Sequence, residues 1–262
     1  MIKDILNKIS APCKSNNYHS ELVSESNHTT SNFLIRGRKR EGFTLAETLI
    51  TLVIIGVIAA ITIPTIMTAH QQEQVVTKLK KTYSTLAQAI EKSSSENGTP
   101  DTWEPATGTT LAAARTFYDD YLSKYLITQK VIYGELANYN MVNMRGTPYA
   151  NTTRMVRVFL NDGVLVNIEI ALSRIDNQNY YSPRFFIDIN GLHKPNRIGR
   201  DVFVFGLRTF EENSFLSPPS YTETRDVLKT NPSNGCNRNY SGFYCSTLIM
   251  KDGWRIADDY PW

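Results

Sequence analysis

The chain has 262 residues, of which 41% are hydrophobic and 20% are charged, a composition typical of a folded protein of one or two domains. Its net charge of +3 comes entirely from residues 1–42, which hold seven Lys or Arg and four Asp or Glu of the totals of 28 and 25. The remaining residues carry 21 charges of each sign, which argues against a nucleic-acid surface, because such a surface needs basic side chains clustered on the folded part.

The segment before Gly42 is polar and ends in a basic cluster of Arg36, Arg38, Lys39 and Arg40. Its Ser- and Asn-rich part, residues 15–31, has the composition of a disordered segment. Basic residues that flank a membrane segment stay in the cytoplasm. We therefore predict that residues 1–42 stay in the cytoplasm and that the chain beyond the membrane lies outside it.

The apolar segment that follows carries a single charge, Glu47, between Leu45 and Met67. Residues 49–67 are enough to cross a hydrocarbon core of about 30 Å as a helix, so we predict a transmembrane helix at about 45–67. A secretory signal peptide is one alternative, but residues 65–70 lack a small-x-small cleavage site. An uncleaved anchor is another, but it leaves Glu47 unexplained, since an acid at the centre of a membrane helix costs about 2.5–3.5 kcal/mol.

Residues 42–47 read Gly-Phe-Thr-Leu-Ala-Glu and resemble the processing site of type IV prepilins and of type II secretion pseudopilins. The resemblance implies that a prepilin peptidase cuts between Gly42 and Phe43 and methylates the new terminal Phe43. Glu47 then holds the fifth mature position, where the family carries an acid, and Gly56 and Pro64 match its helix-loosening positions. The resemblance covers about residues 38–70, although a leader of 42 residues is long for the family.

Glu47 also has a physical role that follows from cleavage. Cutting after Gly42 creates an α-amine on Phe43 that is cationic near neutral pH. Pairing this amine with the Glu47 carboxylate offsets part of the cost of placing each in lipid. The pair can form within one chain, because residues four apart on a helix are neighbours, or between two chains. The resemblance favours the second arrangement, which makes Glu47 an assembly residue.

Gly56 and Pro64 are candidate assembly residues in the same segment. Pro64 cannot donate a hydrogen bond to the carbonyl of Ala60, so we expect the helix to kink or loosen there. The alternative is that Gly and Pro are simply common in membrane helices.

The helical pattern continues beyond the membrane segment. Apolar residues recur every three or four positions from Val75 to Ile90, which predicts an amphipathic helix that ends near residue 97. A single helix over residues 43–97 would be about 80 Å long. Residues 111–127 predict one or two shorter helices.

Strand patterns begin at Met155. Residues 155–160 and 164–170 flank Asn161-Asp162-Gly163, which is a hairpin signal, and residues 184–189 and 201–207 predict two more strands. Residues 246–250 and 254–256 flank Lys251-Asp252-Gly253 and predict a last hairpin. The predicted fold class is therefore α+β and pilin-like, with the long N-terminal helix packed on an antiparallel sheet in a globular domain of residues 98–262.

Two cysteines, Cys236 and Cys245, lie close together near the C-terminal end. If this part is outside the cytoplasm, we expect a disulfide between them, which would contribute about 2.7 kcal/mol on the chain-entropy model. Two free buried thiols are the alternative. A pair of cysteines alone does not make a metal-site signature.

Other polar and aromatic clusters are candidate sites. The segment from Asp188 to Asp201 departs from the EF-hand spacing, so we interpret it as turn and loop rather than as a calcium site. We expect most aromatics near the C-terminal end to fill the core, and Tyr260 and Trp262 to be exposed. No catalytic or phosphate-binding motif is present in the sequence, so we predict neither an enzyme nor a cofactor.

These observations predict a structural protein of the inner membrane. The expected function is that of a subunit of a type IV pilus or type II secretion pseudopilus, whose partners are prepilin peptidase, other pilin subunits and the membrane. A minor or tip pilin that binds DNA, a surface or a secreted substrate is the alternative, although nucleic acid is not favoured. A membrane-anchored domain that is never cleaved is a third possibility.

Overall fold

The computed structural model describes residues 42–103, 108–150, 152–175, 178–208 and 215–262. The chain divides into two compact units, of which the first ends at Leu52 and the second spans Val53–Trp262. The predicted leader and its basic cluster lie outside the described residues, apart from Gly42.

The first helix, α1, spans Leu45–Asn97, within two residues of its predicted ends. Its C-terminal half buries a stripe that follows the predicted apolar spacing: Val76, Leu79, Thr82, Leu86, Ala89, Ile90 and Ser93. The second helix, α2, spans Leu111–Tyr121. Thr110 caps it, because the Thr110 hydroxyl accepts a hydrogen bond from the backbone N–H of Ala113 at 3.2 Å.

Six antiparallel strands form one sheet in the order in which they occur along the chain. They are β1 (Thr128–Tyr133), β2 (Val156–Leu160), β3 (Leu165–Ile175), β4 (Gln178–Asp188), β5 (Val202–Leu207) and β6 (Leu216–Ser217). The long N-terminal helix and the antiparallel sheet confirm the predicted α+β class.

The predicted turn between β2 and β3 is present at Asn161-Asp162-Gly163. The backbone N–H of Leu160 donates to the carbonyl of Val164 at 2.9 Å. Gly163 has φ +83°, a left-handed conformation that glycine adopts without a steric cost. The strands predicted at 184–189 and 201–207 are also found. The strands β3 and β4 are longer than predicted because they pair along their whole length, from Leu165 opposite Asp188 to Ile175 opposite Gln178.

Both faces of the sheet carry buried side chains, because successive residues of a strand point to opposite faces. On β4, Phe185 belongs to the larger core, which also contains the buried residues of α1 and α2. Its neighbour Phe186 belongs to a smaller core on the second face, formed with residues such as Tyr139, Met141 and Ile198. The sheet therefore presents one face to the helices and the other to the loops.

The predicted C-terminal hairpin is wrong. Residues 245–251 instead form a helix, α4 (Cys245–Lys251), which follows a shorter helix, α3 (Arg225–Thr230). The buried apolar residues Cys245, Leu248 and Ile249 have the spacing of a helix face. Gly253, with φ +76°, ends α4 while the N–H of Trp254 donates to the carbonyl of Ile249 at 2.9 Å. A helix end and a hairpin both use such a glycine, which explains the error.

Three elements were not predicted: β1, β6 and α3. The strand β1 lies at one edge of the sheet and no residue of its pattern is fully buried. The strand β6 is two residues long, and α3 is six. Edge strands and single-turn helices have weak periodicity, so the sequence pattern did not reveal them.

Candidate functional site on the N-terminal helix

Thr44 and Glu47 form hydrogen bonds with each other at the start of α1. The Glu47 carboxylate accepts hydrogen bonds from the backbone N–H of Thr44 at 2.8 Å and from its hydroxyl at 2.9 Å. In return, the N–H of Glu47 donates to the Thr44 hydroxyl at 3.3 Å. This reciprocal arrangement is a capping box. The spacing Thr44-x-x-Glu47 is its sequence signature, and it was missed in the sequence analysis.

The predicted cleavage site directly precedes this cap. Gly42 is exposed, and the Phe43 side chain is 87% exposed. Cleavage between these residues would leave the Thr44 N–H and hydroxyl in place, because both lie beyond the cut bond. Glu47 therefore has a local partner that cleavage would not remove.

The first half of α1 exposes its large apolar side chains. Their exposed fractions between Leu45 and Met67 run from 52% to 78%. Within the described residues, α1 is the one helix long and apolar enough to cross a membrane. A bare apolar surface of this size is not stable in water and must be covered by lipid or protein.

Gly56 and Pro64 lie in this bare half. A Cβ atom at Gly56 would meet nothing within 4 Å, so there is space beside this residue for another chain. The helix continues through Pro64, although this residue cannot donate to Ala60. The roles of both residues in assembly remain predictions.

The predicted disulfide is present. The sulfurs of Cys236 and Cys245 are bonded, and both residues are buried next to α4. It fixes the loop between α3 and α4 against the larger core, which contains both cysteines.

The segment from Asp188 to Asp201 is a folded loop that satisfies its own carboxylates. Asp188 accepts from the Tyr139 hydroxyl at 2.8 Å, and Asp201 accepts from the N–H groups of Asn196 and Arg197 at 2.8 and 2.6 Å. Among the described residues, no three His, Cys, Asp or Glu side chains are grouped as metal ligands would be. These contacts agree with the prediction of a turn and loop.

Burial raises the pKa of the Asp188 carboxyl well above its ordinary value, and the nearby Asp201 carboxyl raises it further. The folded state therefore holds this proton more tightly than the unfolded state. Protonated Asp188 contributes its full stability to the folded state below an ordinary Asp pKa of about 3.9. This contribution is lost as the pH rises through the pKa that Asp188 has in the folded state.

We accordingly expect the free energy of unfolding of Asp188→Asn, relative to the original chain, to increase as the pH rises above about 4. The amide keeps an acceptor for Tyr139 but has no charge to bury next to Asp201. The measurement is thermal unfolding of the detergent-solubilised chain between pH 4 and pH 8. Asp258→Asn, at an exposed position, is the charge-matched control. If the stabilities of the two variants changed with pH in the same way, the expectation would be refuted.

One aromatic prediction is wrong and one is partly wrong. Tyr260 is 5% exposed, and its hydroxyl donates to the carbonyl of Gly199 at 2.5 Å. Trp262 is half-buried against the larger core. Asp259, directly before Tyr260, also links the tail to α3 through ion pairs with Arg225 and Lys229 at 2.5 and 2.6 Å. The positions of aromatic residues in the sequence do not reveal such contacts with residues that are distant along the chain.

Two family models match the chain. One, described as a family of unknown function (DUF6613), matches residues 65–262. The chain belongs to this family. The other, the prokaryotic N-terminal methylation motif, matches residues 37–63 and confirms the resemblance to type IV pilins and pseudopilins. No curated protein and no solved structure matches the chain.

The methylation motif makes this member of the family a pilin-like protein. It implies processing by prepilin peptidase and assembly with other pilins. An apolar helix near the N-terminus, together with the motif, fits an inner-membrane-anchored pilin.

Proposed function

We propose that the chain is a structural subunit of a type IV pilus or of a type II secretion pseudopilus. The observation that carries the proposal is the apolar half of α1, whose large side chains are exposed and whose one charge is Glu47. A surface of this kind is covered by lipid before assembly and by the same helix of neighbouring subunits afterwards. The function is association, and the proposed role is structural rather than catalytic.

The proposal divides the chain into three parts. Residues 1–42 are a leader that the peptidase removes in the cytoplasm. Residues 43–97 form the assembly helix, of which about 45–67 cross the inner membrane. Residues 98–262 form a domain outside the cytoplasm, and the Cys236–Cys245 disulfide supports this location because disulfides persist in oxidising compartments.

Glu47 is the proposed assembly residue, and its partner is the α-amine of Phe43 in a neighbouring subunit. An isolated carboxylate or ammonium in lipid is costly, and pairing the two offsets part of that cost. The Thr44 cap supports this role, because it fixes the Glu47 carboxylate at the exposed start of α1, where a neighbouring subunit can approach. Gly56 and Pro64 are proposed to let the helices approach and loosen during assembly.

The processing step is tested on the membrane-bound chain from a host that contains the peptidase. We expect the N-terminal peptide to begin at methylated Phe43. The same chain from a host without the peptidase should begin before Gly42 and serves as the control. An uncut chain in both hosts would refute the proposal and would favour a permanent membrane anchor.

A further inference from the structure

A polar groove crosses the second face of the sheet, beyond the smaller core. Phe186 on β4 and Val204 on β5 belong to that core. Arg184 and Gly206 lie two residues away from them on the same strands and so point to the same face. Instead of continuing the core, this part of the face is lined by small and polar side chains.

The groove consists of two adjoining cavities. Their volumes are about 410 and about 290 Å³, and both are lined by Ala171 and Arg184. Together they have the volume of a site for a small molecule, which is about 300–1,000 Å³.

The strands place a row of four residues across the floor of the groove. Glu169 on β3 is paired with Arg184 on β4, Arg184 with Gly206 on β5, and Gly206 with Ser217 on β6. A Cβ atom at Gly206 would meet only the carbonyl oxygen of Pro183 within 4 Å, at 3.9 Å. A glycine inside a strand weakens it and often marks a place where a ligand approaches the backbone.

Arg184 is held in place with part of its guanidinium facing the groove. One of its nitrogens donates to Glu169 at 3.1 Å, and Glu169, 3% exposed, also accepts from the Tyr149 hydroxyl at 2.6 Å. The ring of Phe243 lies 5.5 Å from the guanidinium carbon. The Arg184 side chain is 29% exposed, and a guanidinium has five N–H donors, so donors remain for a ligand.

The rest of the lining provides neutral polar groups and aromatic rings. The charged side chains among the described lining residues are three arginines and one glutamate. Hydroxyl and amide groups line the larger cavity, and two rings stand with them: Ser173, Ser182, Ser217, Ser220, Asn234, Phe243 and Tyr244.

We propose that this groove binds a small saccharide that bears a carboxylate group. Arg184 would hold the carboxylate, because a guanidinium matches its geometry with paired hydrogen bonds. The serine hydroxyls and Asn234 would bond to the ring hydroxyls, and the ring of Phe243 or Tyr244 would cover the apolar face of the sugar. The site lies on the face of the sheet opposite the core shared with α1, and it does not depend on whether the chain assembles.

The proposal is tested by calorimetric titration of the full chain in lipid nanodiscs with glucuronate. Glucose and inorganic phosphate serve as comparison ligands. We expect glucuronate to bind with millimolar affinity or better, and each comparison ligand to bind at least roughly tenfold more weakly. Absence of binding at about 20 mM glucuronate, or equal binding of phosphate or glucose, would overturn the proposal.

Gly206→Val locates the site without changing any charge. Valine suits a strand, and its side chain fills the floor beside Arg184, so we expect a loss of affinity of roughly tenfold or more with an unchanged melting temperature. Gly206→Ala should show a smaller loss. The double variant Glu169→Gln with Arg184→Gln, which removes both members of this ion pair together, should lose the preference for glucuronate over glucose. Unchanged binding in Gly206→Val and in the double variant would place the ligand elsewhere and refute the proposal.

Discussion

Glu47→Gln should be cut and inserted normally, yet fail to enter filaments. Glutamine can occupy the same position of a capping box, so the helix start that Thr44 and Glu47 form should remain. The charge that pairs with the Phe43 amine is lost. Leaving one partner of a buried ion pair alone costs about 3–5 kcal/mol, so the amount of the chain in sheared filaments should fall by roughly a hundredfold or more.

Thr44→Ala is the matched control for this variant. It removes the capping hydroxyl but keeps the Glu47 charge, and a lost cap costs about 1 kcal/mol. Filament yield should therefore fall far less than in Glu47→Gln. If Thr44→Ala lost filaments while Glu47→Gln formed them normally, Glu47 would act through the cap alone and the proposed pairing with Phe43 would be wrong.

Tyr260→Ala should destabilise the globular domain by about 3–5 kcal/mol, the usual cost of truncating a buried aromatic residue. Tyr260 is buried in the larger core, and its hydroxyl bonds to Gly199. For a domain of this size, the loss corresponds to a fall of about 6–20 °C in melting temperature. Tyr260→Phe, which keeps the ring but leaves the Gly199 carbonyl without this donor, should cost about 1–3 kcal/mol.

Tyr240→Ala provides the comparison. Tyr240 is half-buried, whereas Tyr260 is 5% exposed, so truncation of Tyr240 should cost less than that of Tyr260. Thermal unfolding of each variant in detergent gives the differences. Equal melting temperatures for Tyr260→Ala and Tyr240→Ala would mean that the C-terminal tail is not part of the folded core.

The long helix and most of the strands could be predicted because their patterns are strong. Buried residues of α1 recur at three- and four-residue spacing from Val76 onward, and β2 and β3 alternate around a turn that needs Gly163. The elements that escaped prediction, β1, β6 and α3, are short or lie at an edge. The segment 245–251 was assigned wrongly because Gly253 suits a helix end as well as a hairpin.

The candidate sites also differ in how far they can be predicted from the sequence. The methylation motif is local in sequence, so Gly42, Phe43 and Glu47 could be identified without a structure. The capping box of Thr44 and Glu47 was equally local and could have been recognised. The groove around Arg184 could not, because it depends on strand pairing that joins Glu169, Arg184, Gly206 and Ser217 across four strands. Burial of Tyr260 likewise depends on contacts with residues distant in sequence, such as Gly199.

The central claim, that the chain leaves the membrane to become part of a filament, is tested most directly by its presence in sheared filaments. Filaments are collected from cells with the peptidase and from cells without it, and the chain is quantified by immunoblot relative to the cell total. We predict that the chain appears in the filament fraction of the first cells and is absent from that of the second. A chain that stays in the membrane fraction of both would contradict the account.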